Sequence, residues 1–384
     1  MTGISRSGNR IELLRSGGEY FPALIEAIAQ AQSEVRIETY IFEDDQTGRR
    51  VAEALIAAAR RGVHVHVAVD GFGSPAFMDG LGSTLRNSGV EVYVYRPELA
   101  RFRIKRYRLR RLHRKLACID ACVAFVGGIN IIDDLNPPSL PEPRFDYAVK
   151  VEGPLLADIH RTMARLWVML SWVHLGRRYL PRTQKLNCRK VSGGIEAALV
   201  IRDNLKHRRE IERAYLKAIN TARREIIIAN AYFLPGRAFR QALKAAAERG
   251  VKVTLLLEGL VEYRLQYFAT LALYNAMLGA GIRVFEYRKS YLHAKVAVVD
   301  DEWATVGSSN IDPFSLLLAR EANILVQDTG FAQELHDSLE QAMATGAIEV
   351  VRPEHLPLYR RLLGWISYGL LRFAAGVAGY GSAL

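Results

Sequence analysis

Apolar side chains recur along this chain with two alternating periods. Residues 34–41 (EVRIETYI) read as a strand, 49–61 (RRVAEALIAAARR) as an Ala/Leu-rich amphipathic helix stopped by Gly62, and 63–69 (VHVHVAV) as a strand closing at Asp70-Gly71. The same succession returns later: 225–229 (EIIIA) as a strand, 237–249 (RAFRQALKAAAER) as a helix with Gly250 after it, and 251–257 (VKVTLLL) as a strand closing at Glu258-Gly259. After a further helix, 89–95 (GVEVYVY) has its counterpart in 281–287 (GIRVFEY). Strands alternating with helices, the whole arrangement repeated, predict a duplicated α/β protein.

The polar, basic, turn-rich stretch 181–194 (PRTQKLNCRKVSGG) divides a first half, 1–180, from a second, 195–350. Residues 161–175 (RTMARLWVMLSWVHL) read as the last helix of the first half, and the proline-dense 137–143 (PPSLPEP) as an irregular loop inserted in that half alone. A C-terminal segment, 351–384, follows. Its last 23 residues, 362–384, carry one charge, Arg372, and five glycines. That is long enough to span a bilayer, but a mid-segment arginine costs about 2.5–3.5 kcal/mol there. The favoured expectation is a helix lying in the membrane interface; the alternatives are a spanning helix and a core-packed or dimer-packed C-terminal helix. No apolar run follows the arginines of 1–16, so no signal peptide is expected.

The 384 residues hold 52 Lys plus Arg against 40 Asp plus Glu, a net charge of +12. Half the chain is apolar, which excludes a disordered chain; the basic balance calls for a polyanionic partner, whether nucleic acid, an anionic membrane surface or a phosphorylated substrate. Nine of the cations lie in 101–115 and six in 176–190, neither stretch holding an acid. In the first, the interleaved Phe102, Ile104, Tyr107, Leu109 and Leu112 suit a segment resting on anionic lipid head groups. Cys118, Cys122 and Cys188 form no disulfide framework and no C-x-x-C pair, and fit a reducing environment.

One pattern occurs twice with fixed spacing. His113, Lys115 and Asp120 are followed by Gly127-Gly128-Ile129-Asn130; His293, Lys295 and Asp300 are followed by Gly307-Ser308-Ser309-Asn310. Both read H-x-K-x4-D-x6-G-[GS]-x-N. On a strand, His113, Lys115 and Ala117 share a face, as do His293, Lys295 and Ala297, so imidazole and ammonium point together. If the halves pack about a pseudo-two-fold axis, these faces are expected to meet around one site. An imidazole can serve as nucleophile in one half and as acid/base in the other, while lysines and the amides of Asn130 and Asn310 hold non-bridging phosphate oxygens. Asp120 and Asp300 complete the motif and are counted with the catalytic set, although their place at the far end of the strand suits a turn. Asp146 and Glu321, each on a following strand, are candidates to hold a histidine's other nitrogen. His64 and His66 share a strand face without a third ligand nearby, and Gly71-Phe72-Gly73 lacks the rest of a nucleotide loop, so neither a metal nor a cofactor is expected.

The paired motif resembles the phospholipase D superfamily. The stretches 8–14 (GNRIELL), 37–42 (IETYIF), 70–75 (DGFGSP), 112–115 (LHRK), 146–149 with 152–154, and 304–313 (ATVGSSNIDP) are similar to the short-form bacterial cardiolipin synthases, the cardiolipin synthase B type. The resemblance implies two α/β/α sandwich halves about a pseudo-two-fold axis, one motif from each. It also implies metal-free phosphatidyl transfer between two phosphatidylglycerol molecules through a phosphatidyl-histidine, with His113 as nucleophile and His293 as acid/base. On that resemblance Lys115, Lys295, Asn130, Asn310 and Ser308 hold phosphate, and Asp146 and Glu321 orient the histidines. Gly128, where the second motif has Ser308, departs from it. The expected partners are phosphatidylglycerol and an anionic membrane, not nucleic acid, on the cytoplasmic side of a bacterial inner membrane. A hydrolase giving phosphatidic acid and a superfamily nuclease or phosphodiesterase stand as alternatives.

Overall fold

The computed structural model describes residues 3–97, 110–136, 142–175, 194–203, 206–260, 264–351, 362–364 and 366–370. The 181–194 linker, apart from Gly194, most of the 101–115 and 176–190 basic stretches, Cys188 and residues 371–384 lie outside them.

The first half runs β1 (Ser5–Arg15), α1 (Ser16–Gln30), β2 (Glu34–Thr39), α2 (Gln46–Arg60), β3 (His64–Asp70), α3 (Leu81–Asn87), β4 (Glu91–Tyr95), β5 (Lys115–Ile119), β6 (Val123–Gly127), β7 (Tyr147–Glu152) and α4 (Leu156–Leu175). The second repeats it as β8 (Ile195–Arg202), α5 (Glu210–Thr221), β9 (Glu225–Asn230), α6 (Arg237–Glu248), β10 (Lys252–Glu258), α7 (Arg264–Leu278), β11 (Arg283–Tyr287), β12 (Lys295–Val299) and β13 (Trp303–Gly307). It closes with α8 (Pro313–Leu317), β14 (Glu321–Gln327), α9 (Thr329–Gly346) and β15 (Ala347–Glu349).

The strands form one sheet ordered β15-β11-β10-β9-β12-β13-β14-β8-β1-β7-β6-β5-β2-β3-β4. Apart from β15, the order is a palindrome about the antiparallel β1–β8 pair, which is the duplication expressed as topology. The register of that pair shifts between Arg6 and Asn9. The two halves of the sheet face each other, β6 and β7 lying against β13 and β14. Leu116, Cys118, Val126 and Val149 bury against Val296, Val298, Val306 and Ile324 to form the inner core. Helices α1–α3 cover the outer face of the first half, α5–α7 that of the second, and α4 and α9 close the inner layer.

Two expectations change. The strand begins at Lys115 and not at His113. The faces that meet are also of the other parity: Ala117 packs outward under α1 and α2 and Ala297 under α5 and α6, while Leu116, Cys118, Val296 and Val298 point inward. The two motifs therefore converge at strand ends, on the edge where β2, β3, β9 and β10 finish, and not across the packed faces.

Asp120 and Asp300 lie at the opposite ends of β5 and β12 from the histidines. Asp120 and Ala121, like Asp300 and Asp301, have φ of 50–56° and build tight hairpin turns. The Asp120 carboxylate accepts from the backbone N–H of Gln32, Ser33 and Glu34, each at 2.8 Å; Asp300 accepts from those of Arg223, Arg224 and Glu225 at 2.7–2.9 Å. Each aspartate thus pins its hairpin to the start of the neighbouring strand. Asp120→Ala is expected to lower unfolding stability by about 2–3 kcal/mol while chemistry in the folded fraction persists. Chemical denaturation paired with active-site titration checks this, and loss of turnover in fully folded protein would contradict it.

Candidate active site

Each histidine is fixed by the opposite half of the molecule. Leu112 forms a parallel bridge with Arg320 and Leu292 one with Phe145. His113 N donates to Arg320 O at 3.0 Å, and His293 N donates to Phe145 O at 2.7 Å. The residues after these bridge partners are Glu321 and Asp146. Consequently each carboxylate reaches across the pseudo-two-fold axis: His293 Nδ1 lies 2.5 Å from Asp146 Oδ2, and His113 Nδ1 lies 2.9 Å from Glu321 Oε1. The hydrogen bond to Asp146 fixes the His293 tautomer that leaves Nε2 for chemistry, whereas Glu321 approaches His113 Nδ1 without hydrogen-bond geometry. A chain of either half alone lacks one member of each pair.

The lysines sit at the entrances of β5 and β12. Lys115 Nζ donates to His113 O at 2.7 Å and lies 5.4 Å from the Tyr40 ring centre; Lys295 Nζ donates to His293 O and lies 3.6 Å from Asp146 Oδ2. Asn130 Oδ1 accepts from Ile41 N at 3.2 Å, and Asn310 is buried after β13. Ser308 is placed differently from its expected role as a phosphate donor: its hydroxyl donates to Glu321 Oε2 at 2.5 Å and accepts from Ala322 N at 3.1 Å. Gly128 is glycine for a matching reason. A Cβ there would stand 2.3 and 2.6 Å from the two Asp146 oxygens.

Tyr40 and Asp70 escaped the sequence reading. Tyr40 packs edge-on against His113, ring centres 4.8 Å apart, and Asp70 Oδ2 accepts from Leu112 N at 2.8 Å. The 70–74 stretch (DGFGS) is the clamp between them: Asp70 Oδ1 accepts from Phe72 N at 2.9 Å, and Ser74 Oγ donates to Tyr40 O at 3.0 Å. Gly73 passes so close that a Cβ would lie 2.3 Å from Tyr40 O. The signal was there in 70–75, but a strand-end turn gives no hint of which loop it braces. His66, by contrast, is buried between Trp167 (ring centres 4.9 Å) and Glu91 (3.3 Å), far along β3 from this edge.

Burial dominates the electrostatics. It pushes Lys115 down to about 7 and Lys295 to about 8, offset only in part by Glu321 and Asp146. Burial and then Lys295 drive His293 to about 3, against the pull of Asp146; burial lowers His113 against Glu321. Asp146 is held below the usual carboxylate range because Lys295 and His293 outweigh its own desolvation. Burial and the neighbouring lysines thus both favour the neutral form of each imidazole. A lysine is cationic only below its pKa, so kcat/KM for an anionic substrate is expected to decline as pH rises through about 7 and then about 8. A flat profile across that window would refute lysine-assisted binding.

The residues flanking this site match a family profile described as cardiolipin synthase, PLD-like domain, over 24–167 and 215–343. The chain belongs to the cardiolipin synthase family. It is similar to cardiolipin synthase B of Escherichia coli K12, 42% identical over 345 residues that cover 90% of this chain and 83% of that one. Cardiolipin synthase A of Pseudomonas putida KT2440 is 30% identical over 338 residues, 87% of this chain and 68% of the relative. Among solved structures, phosphatidylserine synthase of Haemophilus influenzae superposes with a TM-score of 0.67 at 15% identity, covering 96% of this chain and 94% of the other. That likeness places the cardiolipin synthase chain on the phospholipase D fold, as the doubled motif implied.

Proposed function

We propose that the enzyme joins two phosphatidylglycerol molecules into cardiolipin, with release of glycerol. His113 Nε2 attacks phosphorus while His293 protonates the departing glycerol oxygen, leaving phosphatidyl-His113. A hydroxyl of a second phosphatidylglycerol then gives its proton to His293 and its oxygen attacks phosphorus; the N–P bond breaks and His113 returns neutral. Lys115, Lys295, Asn130 and Asn310 stabilise the non-bridging oxygens. The observation carrying this reading is the crossed arrangement, a buried His293 and a partly buried His113 each with a carboxylate from the other half near Nδ1.

The asymmetry of the carboxylates supports the division of roles. Glu321 shares its charge with the Ser308 proton, whereas Asp146 has the closer approach to its histidine. Asp146 is the better partner for the imidazole that cycles through its charged form. Ser308 therefore acts through Glu321 and not on phosphate. Among the described residues no helix is long and apolar enough to cross a membrane, and peripheral association with an anionic inner-membrane surface, on its cytoplasmic side, fits the lipid substrate.

Purified enzyme given phosphatidylglycerol in detergent micelles with EDTA present is expected to yield cardiolipin and glycerol in equal amounts, read by mass spectrometry. Phosphatidic acid as the only lipid product would make it a hydrolase, and no lipid turnover would remove the reading.

A further inference from the structure

The described helical residues 362–364 and 366–370 form a segment packed inside out. Its buried residues are Gly364, Ser367 and Tyr368, set against α6 and α7: a Cβ on Gly364 would lie 3.1 Å from Phe268 O and 3.3 Å from the Ala272 Cβ, and Arg240 donates to Tyr368 Oη at 2.7 Å. Outward point Leu362, Leu363, Ile366 and Leu370, 61, 42, 48 and 54% exposed. A helix that merely completes a core buries such side chains and exposes its serines. Leu265, in the first turn of α7, adds to the exposed apolar surface. Beside it a cavity of about 740 Å³ opens between α6, α7 and β15, lined by Leu271, Met277 and Val350; four cations, Arg237, Arg240, Lys244 (3.6 Å from Glu248) and Arg288, outnumber the lining carboxylates Glu286 and Glu349.

We infer that this face is the surface by which the enzyme docks on an anionic bilayer, the helix immersed at the level of the acyl chains and Arg237 and Lys244 against head-group phosphates. The charge complements an anionic lipid and the apolar row has the width of one helix. The location fits as well: α6 and α7 start where β9 and β10 end, on the edge that holds His293. The inference rests on the lipid reading above only for its choice of anionic lipid.

The test uses the full chain carrying Leu363→Asp, Ile366→Asp and Leu370→Asp together, substitutions at exposed positions, with an unchanged thermal midpoint confirming the fold. Sedimentation with vesicles of phosphatidylglycerol and phosphatidylcholine is expected to show binding at least about tenfold weaker than for the native chain. Cardiolipin formation is expected to fall on vesicles and to stay unchanged in detergent micelles of the same lipid. Native-like vesicle binding by the variant would overturn the inference. So would a native dimer, by light scattering without lipid, that the substitutions dissociate, since a second copy would then be the occupant. If the native chain makes no cardiolipin in micelles, the catalytic reading fails while the sedimentation result still decides the docking surface.

Discussion

His113→Ala is expected to lower turnover of phosphatidylglycerol about 10⁴-fold or more, and His293→Ala about 10²–10⁴-fold. The two losses have different chemical origins and can be separated. Without His113 no nitrogen attacks phosphorus, and no choice of substrate repairs that. Without His293 the attack remains possible but glycerol must leave as an alkoxide. A phosphodiester whose leaving group is a nitrophenolate needs no proton, so it is expected to recover most of the loss in His293→Ala and none in His113→Ala. Stopped-flow release of nitrophenolate measures this directly. Recovery in His113→Ala instead would exchange the two roles, and recovery in both would end the covalent mechanism. Both side chains lie at strand edges and outside the hydrophobic clusters, so each alanine variant is expected to fold.

The chemistry was more legible in the sequence than its geometry. The repeat, the alternating periods and the doubled motif already placed two histidines, two lysines and two asparagines in equivalent positions, because those signals are local. Helices α1, α5 and α9 went unread: α1 carries Pro22, and the Asp328 N-cap that opens α9 was passed over. Alternation grouped His113 with Lys115 and Ala117, whereas the strand starts only at Lys115, and which face of it meets the other half depends on where the sheet folds back. The packing that decides it, of β6 and β7 on β13 and β14, joins strands far apart in sequence. The same distance hid the crossing of Asp146 to His293 and of Glu321 to His113. Nothing within either repeat distinguishes a carboxylate that serves its own histidine from one that serves the other.

That crossing gives the strongest single test of the site. Asp146→Asn is expected to cut turnover about 10²–10⁴-fold, since an amide at 2.5 Å from Nδ1 no longer selects the tautomer or stabilises the charged ring. Gly128→Ser, which would make the first motif read like the second, is expected to do comparable damage. Its Cβ would stand within 2.6 Å of both Asp146 oxygens, so the carboxylate must swing away from His293. The injured histidine thus belongs to the half that was not mutated. The second half shows how a serine is accommodated there: the longer Glu321 reaches its histidine with Ser308 hydrogen-bonded to its other oxygen. Gly128→Ser combined with Asp146→Glu transplants that pair and is expected to be more active than Gly128→Ser alone, a coupling that a double-mutant cycle reads as strongly non-additive. Steady-state turnover of the four proteins decides it. Native activity in Gly128→Ser, or additive losses in the double variant, would mean that Asp146 does not hold His293 from across the axis.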